Sequence, residues 1–175
     1  MRTVALHLAL WLVLGTACGY SLVRSGDGAD GAQTIAVETL RNDSTLPGGA
    51  LLVTAALRKE FLRRGGFQLV SDPAKADLVV GGRLLPLEIS ARSFSSVVLA
   101  LEYSVRMTIE LDVRRQDGTE VPIDGRSLTE TELYLASSDV EVGRKNQEEA
   151  LRRISAVLAG RFLDALYLVG EEKSG

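Results

Sequence analysis

Side chains capable of covalent or metal chemistry are scarce in this sequence, and their positions narrow what it can do. The one His is His7 and the one Cys is Cys18, so the rest of the chain has neither imidazole nor thiol. A Ser-His-Asp or Cys-His nucleophile system cannot be built there. Zinc and copper sites of the usual nitrogen and sulfur donors are excluded for the same reason, and no cofactor is implied. Carboxylates remain for acid/base work or a hard cation. Glu130, Glu132 and Asp139 would be the residues of a carboxylate-dependent envelope hydrolase, although acidic residues in such a stretch also line a wet strand and its loop. Arg58, Lys59, Arg63 and Arg64 could hold an anion, but on a helix such a cluster is more often the solvated face.

The chain of 175 residues is 46% apolar and 25% charged, an ordinary globular composition for one domain. Its net charge is −3, and without Arg2 19 basic residues face 23 acidic ones. A mildly acidic chain is a poor binder of nucleic-acid backbones, so no nucleic-acid partner is expected.

Residues 1–17 place Arg2 ahead of an apolar run at 4–14 and small residues before Cys18. The run is shorter than the ~20 residues of a membrane-spanning helix and reads as an export signal, which leaves His7 inside it without a functional role. L-G-T-A-C at 14–18 resembles the lipobox of bacterial lipoproteins, with Gly15 where Leu is commoner. That resemblance implies diacylglycerol on the Cys18 sulfur, cleavage before Cys18, and acylation of the new amine; two or more acyl chains make anchoring stable. Gly19 in place of Asp implies the periplasm-facing surface of the outer membrane. Residues 18–33, rich in Gly, Asp and Ser, read as a tether.

The elements that would position any site begin with residues 97–114, apolar at every odd position and polar at the even ones from Glu102 onward. This period of two predicts one half-buried strand reaching roughly 55–60 Å at ~3.3 Å per residue. Its apolar face needs a cover. One covering helix is predicted at 50–64, where Ala50, Val53, Leu57 and Phe61 form a stripe that Gly65 and Gly66 end. A second is predicted from Asn146, whose spacing to Glu149 resembles a capping box. Its stripe is Leu151, Ile154, Leu158, Phe162, Ala165 and Val169, joined by Val157 and Leu166, and it adds the pairs Glu148 to Arg152 and Glu149 to Arg153. Short strands are expected at 34–40 and 67–70, loops at 41–49 and 137–143, and a serine-rich hairpin loop at 88–96. The run at 78–89 switches apolar parity near Leu84 beside Pro86, as a bulge or bend would. Gln116-Asp117-Gly118 closes a hairpin, and the return strand is interrupted at Pro122 and 124–125 before resuming at 127–135. The expected architecture is α+β, a two-layer sandwich of two amphipathic helices on one face of a mostly antiparallel sheet of four to five strands. It is a single domain at 34–170, followed by a frayed tail at 171–175.

Several stretches resemble the lipopolysaccharide-assembly lipoproteins, an LptE-like family. They are Cys18-Gly19-Tyr20, I-A-V at 35–37, Asn42 and Pro47-Gly48, L-R-R-G-G at 62–66, L-V-S-D-P at 69–73, A-D-L-V-V-G-G at 76–82, Glu102-Tyr103 and E-A-L-R-R at 149–153. The resemblance implies a non-enzymatic plug inside an outer-membrane β-barrel translocon that moves lipopolysaccharide to the cell surface. Barrel lumens are polar, and the even face of the long strand suits one. Arg83, Arg92 and Arg106 would then meet lipid phosphates or barrel carboxylates, since guanidinium forks fit both; isolated arginines on an open sheet are otherwise solvated. I-A-V followed by a loop Asn also recurs in other envelope lipoproteins, so a peptidoglycan synthase activator or a secretion-channel component stands as the alternative.

Overall fold

The computed structural model describes residues 33–94, 100–124 and 126–172. The expected signal, Cys18, the tether through residue 32 and the end of the tail lie outside the described residues, as do Val97 and Leu99 of the long apolar-polar alternation. In chain order the elements are β1 (Thr34–Val37), β2 (Arg41–Asn42), α1 (Gly49–Arg64), β3 (Gln68–Leu69), β4 (Leu78–Leu84), β5 (Glu88–Phe94), β6 (Ala100–Arg115), β7 (Ser127–Leu135) and α2 (Val140–Glu172), with a 3-10 turn at Pro73–Lys75. Two helices cover one face of one sheet, giving an α+β two-layer sandwich.

The long strand is β6, and its alternation decides the layering. Val105, Met107, Ile109, Leu111 and Val113 are buried, while the even positions between them stay partly or fully exposed. Against the odd row pack Val53, Leu57 and Phe61 of α1 and Leu151, Ile154, Leu158 and Phe162 of α2, all in one apolar core. Burying each such side chain contributes about 1.5–3 kcal/mol. The two buried hydroxyls are satisfied. Thr54 donates to the Ala50 carbonyl at 2.7 Å and accepts from the Leu40 amide at 3.1 Å, and Ser155 donates to the Leu151 carbonyl at 2.8 Å.

Among the described residues the sheet is mixed and has seven strands, more than expected and less uniformly antiparallel. β1 runs parallel to both β3 and β4, and β2 runs parallel to β4, whereas β4, β5 and β7 run antiparallel to β6. The parallel pairs follow from the β1-α1-β4 crossover, since a helix between adjacent strands returns the chain to the same end of the sheet. β4 and β5 lie end to end along one edge of β6: Leu84 faces Ile109 and Glu88 faces Arg106. Residues 85–87 therefore oppose only 107 and 108, a β-bulge beside Pro86, anchored by Leu85 N donating to Thr108 O at 3.0 Å. The parity switch marked this bulge, but the serine-rich segment after it is strand β5, not a loop. Its Ser90 pairs with Ser104 on the wet face, where polar residues are compatible with a strand.

Three helix details differ from expectation. α2 begins at Val140, six residues before Asn146, because Asp139 is the cap: its Oδ1 accepts from the Glu141 amide at 2.9 Å and the Val142 amide at 3.3 Å. Asn146 instead donates to the Leu135 carbonyl at 3.0 Å. Val157 is 43% exposed, and Ala159 and Leu163 take its place in the core. The 41–49 loop contains the two-residue strand β2, recruited by backbone pairing with β4.

Gly82 of β4 has φ +147, and a Cβ there would lie 2.1 Å from the Glu110 carbonyl oxygen of β6. Gly118, in the turn after β6, has φ +84 but open space around it. Gly82→Ala should therefore cost roughly 2–4 kcal/mol in urea unfolding, and Gly118→Ala about 1 kcal/mol. Equal losses would mean that the close approach at Gly82 does not constrain the sheet.

Candidate functional site

The uncovered face of the sheet carries the charged side chains that sequence pattern singled out. β4 and β6 place Arg83 directly across from Glu110, and β5 and β6 place Glu88 across from Arg106. The Arg83 guanidinium reaches Glu110 at 2.6 Å and Asp43 at 3.7 Å. Arg106 reaches Glu88 at 3.3 Å, and its Nε donates to the Thr131 hydroxyl of β7 at 3.3 Å. The same pattern continues at the end of the face near Arg115, where Arg114 bridges Glu38 and Asp112 at 2.9 and 3.1 Å and Arg126 meets Glu120 at 2.5 Å. Arg41 holds Asp43 at 2.8 Å, and that hydrogen bond keeps the Asp43 carboxyl below its ordinary titration range. Arg41, Arg83, Glu110, Asp112 and Arg126 line an open depression of ≈ 530 Å³.

This face is a lattice of exposed ion pairs, each worth about 0.2–1 kcal/mol. Its chemistry is recognition: paired guanidinium and carboxylate groups that an incoming polar surface can exchange partners with. Arg92 lies apart from Arg83 and Arg106, at the register shift of β5. It is exposed and has no ion-pair partner among the described residues.

The acidic residues considered for catalysis go elsewhere. Glu130 and Glu132 project from β7 toward α2, where Arg161 meets Glu130 at 2.6 Å and Arg153 meets Glu132 at 2.7 Å. Asp139 is the α2 cap. The three carboxylates are thus each engaged by a different part of α2, and no acidic cluster suited to a metal occurs among the described residues. Glu149 takes Arg152 at 2.6 Å rather than the Arg153 that a spacing of four predicts. Three of the four basic residues of α1 also engage their own chain, while Lys59 stays exposed. Arg58 donates to the Val37 carbonyl at 2.7 Å. Arg63 and Arg64 grip Glu60 at 2.5 and 2.7 Å, and Arg64 continues to Asp164 of α2 at 2.5 Å. The Glu60–Arg64 pair follows from a helical spacing of four, whereas the partners on the sheet and on the other helix depend on the rotation of each helix over the sheet and leave no local spacing.

A profile of the family described as LptE, lipopolysaccharide-assembly, matches residues 32–166. No curated protein matches. Among solved structures, rare lipoprotein B from Shewanella oneidensis superposes with a TM-score of 0.55 at 15% identity, over 79% of this chain and 100% of that one. Lipoprotein B from Nitrosomonas europaea gives 0.50 at 14% identity, over 77% and 86%. A third structure, from Xanthomonas campestris, gives 0.50 at 14%, over 82% and 89%. At these identities the likeness is one of fold.

Hydrogen bonds from Arg63 and then Arg64 hold the Glu60 carboxyl at about 2, below its ordinary 4.5. A carboxyl lowered on folding stabilises above its unfolded value and loses that contribution as pH falls through its folded one. Glu60→Gln should thus lower stability at neutral pH by about 1–2 kcal/mol after allowance for solvent screening. The gap to the natural chain should close between pH 4.5 and 2. A gap that persists at pH 2 in urea titrations would assign the loss to packing.

Proposed function

The chain belongs to the LptE family of lipopolysaccharide-assembly lipoproteins, and from that premise we propose that it plugs and assists an outer-membrane β-barrel translocon for lipopolysaccharide. In this reading an acylated Cys18 anchors it to the periplasm-facing surface of the outer membrane, and its contribution is non-enzymatic. The observation that supports the reading is the wet face of the sheet: no element of the described chain covers it, and it presents Arg83, Arg106, Glu88, Glu110, Thr108 and Thr129 in cross-strand rows. A barrel lumen is polar, so docking there needs a surface that exchanges hydrogen bonds and ion pairs without an apolar seam. Arg83 and Arg106 would trade their carboxylate partners for barrel carboxylates or lipid phosphates on docking, and Arg92 would meet them directly.

Two experiments test the parts separately. Radioactive palmitate should label the natural chain and not Cys18→Ala; equal labelling would remove the anchor. Mild-detergent purification of the tagged chain should bring down a β-barrel protein. Arg92→Asp with Arg106→Asp should reduce both that recovery and lipopolysaccharide binding severalfold. Because both sites are exposed, unfolding should shift by no more than about 0.5–1 kcal/mol. Unchanged recovery and binding would refute the role of these arginines, and recovery of a synthase or a ring of this chain would refute the translocon.

A further inference from the structure

The exposed large apolar side chains gather at one end of the sheet, at the start of β6. Leu101 is 50% exposed on the helix-facing side, together with Ile89. On the opposite side Phe94 is 57% and Leu135 64% exposed, with Leu133 between Leu135 and the middle of the sheet. The faces follow from register: Ile89 lies across from Val105 of the buried row, whereas Leu133 and Leu135 lie across from Ser104 and Glu102 of the wet row. Val140, 84% exposed, opens α2 at the same end. A shallow groove of ≈ 700 Å³ there is floored by Tyr103 and Tyr134, stacked with ring centroids 5.5 Å apart. The other exposed large apolar side chains among the described residues are scattered over the helices.

We propose that in the chain not yet docked to a partner, this end of the sheet dips into a lipid bilayer surface. A flat protein partner covers one face of a sheet at a time, and a surrounding barrel lumen is polar. Here apolar side chains emerge from both faces, the arrangement suited to a medium that surrounds the strand ends. Tyrosines with apolar bodies and polar tips suit the headgroup level, and the exposed Arg92 suits lipid phosphates. The length of the preceding chain agrees, in a step that rests on the acylated Cys18 proposed above. The chain enters the fold at Thr34, beside the Arg115 end of β6, since Ile35 pairs with Leu78 and Leu78 with Arg115. From there to Ala100 is about 50 Å along the strand. Extended, residues 18–33 reach about the same distance, so anchor and apolar end can rest on one membrane. Docking to a translocon would withdraw that end from the lipid.

The test uses single tryptophan reporters in the full chain carrying Trp11→Phe, which removes its one natural Trp. Phe94→Trp places the reporter in the apolar end and Thr129→Trp on the middle of the wet face. Both chains are incorporated into vesicles of phosphatidylethanolamine and phosphatidylglycerol containing a dibrominated phosphatidylcholine. The reporter at position 94 should shift to the blue and lose most of its emission to the brominated chains, and the reporter at 129 should do neither. Adding Leu133→Ser and Leu135→Ser should abolish the quenching at 94 without moving the unfolding midpoint. Equal quenching at both positions, none at 94, or no association with vesicles would overturn the proposal. So would a blue shift at 94 without quenching, which signals contact between copies of the chain. Palmitate labelling of the same preparation reads the anchor independently: labelled but unquenched chain refutes the dip alone, and quenched but unlabelled chain refutes the anchor alone.

Discussion

The structure depends on the burial of one face of β6 beneath two helices. Five consecutive odd residues, Val105 to Val113, give the sheet a continuous apolar row, and α2, with 33 residues, is long enough to run beside all 16 residues of the strand. At 1.5 Å and about 3.4 Å per residue the two elements both span about 50 Å. A one-residue slip of β6 would exchange Met107 and Ile109 for Arg106 and Thr108 beneath the helices, so the register is fixed by the cost of burying those polar groups. The same constraint leaves the second face bare. Both helices are on one side, and the described chain has no third layer for the other.

One-sided cover also explains how the charges are distributed. Along the border between α2 and β7, Arg153 and Arg161 reach Glu132 and Glu130 over the rim of the core. There the aliphatic stems of the arginines can cover apolar surface while their heads remain wet. Arg161 also donates to the Thr129 carbonyl at 3.2 Å, and Asn146 to that of Leu135 at 3.0 Å. α2 thus occupies two backbone acceptors on the outer edge of β7, a strand that among the described residues pairs only with β6. Unoccupied, such an edge is a template for pairing with another chain. The carboxylates that resemble acid/base groups in the sequence are fasteners of the helix layer and protect a sheet edge indirectly.

The features legible in the sequence were those that a period reports. The alternation of β6, the apolar stripe of α1 and the parity switch before Pro86 each reflect a side chain's relation to a single layer boundary, which local spacing encodes. Two cap signals compete for the start of α2, and Asp139, preceded by a turn in which Ser137 Oγ accepts from its amide at 3.1 Å, captures the helix before Asn146 can. The polar residues of β2 and β5 carry a loop pattern, yet backbone pairing with β4 and β6 needs no apolar side chain. The partners of Arg83 and Arg106 were illegible for a different reason. Both are cross-strand neighbours whose meeting requires the register of separate strands on β6, which no local spacing records.

That dependence gives the bulge at 85–87 its importance. In β4 the residues facing the helices are even, Leu78, Val80 and Leu84, and the wet face takes odd Arg83; in β5 the wet face takes even Glu88 and Ser90. The extra residue reverses parity between the two strands, so both halves keep one side toward the core although the sequence pattern changes phase. It sits where Pro86, with no amide to donate, removes least from the ladder. It also fixes the order of charge on the wet face, because Arg83 meets Glu110 and Glu88 meets Arg106 only with three residues opposite two. Paired regularly, without the bulge, Glu88 would lie across from Val105 of the buried row and Ile89 across from Ser104 of the wet one. A single backbone irregularity therefore sets both what the core buries and which guanidinium groups the open surface presents to a partner.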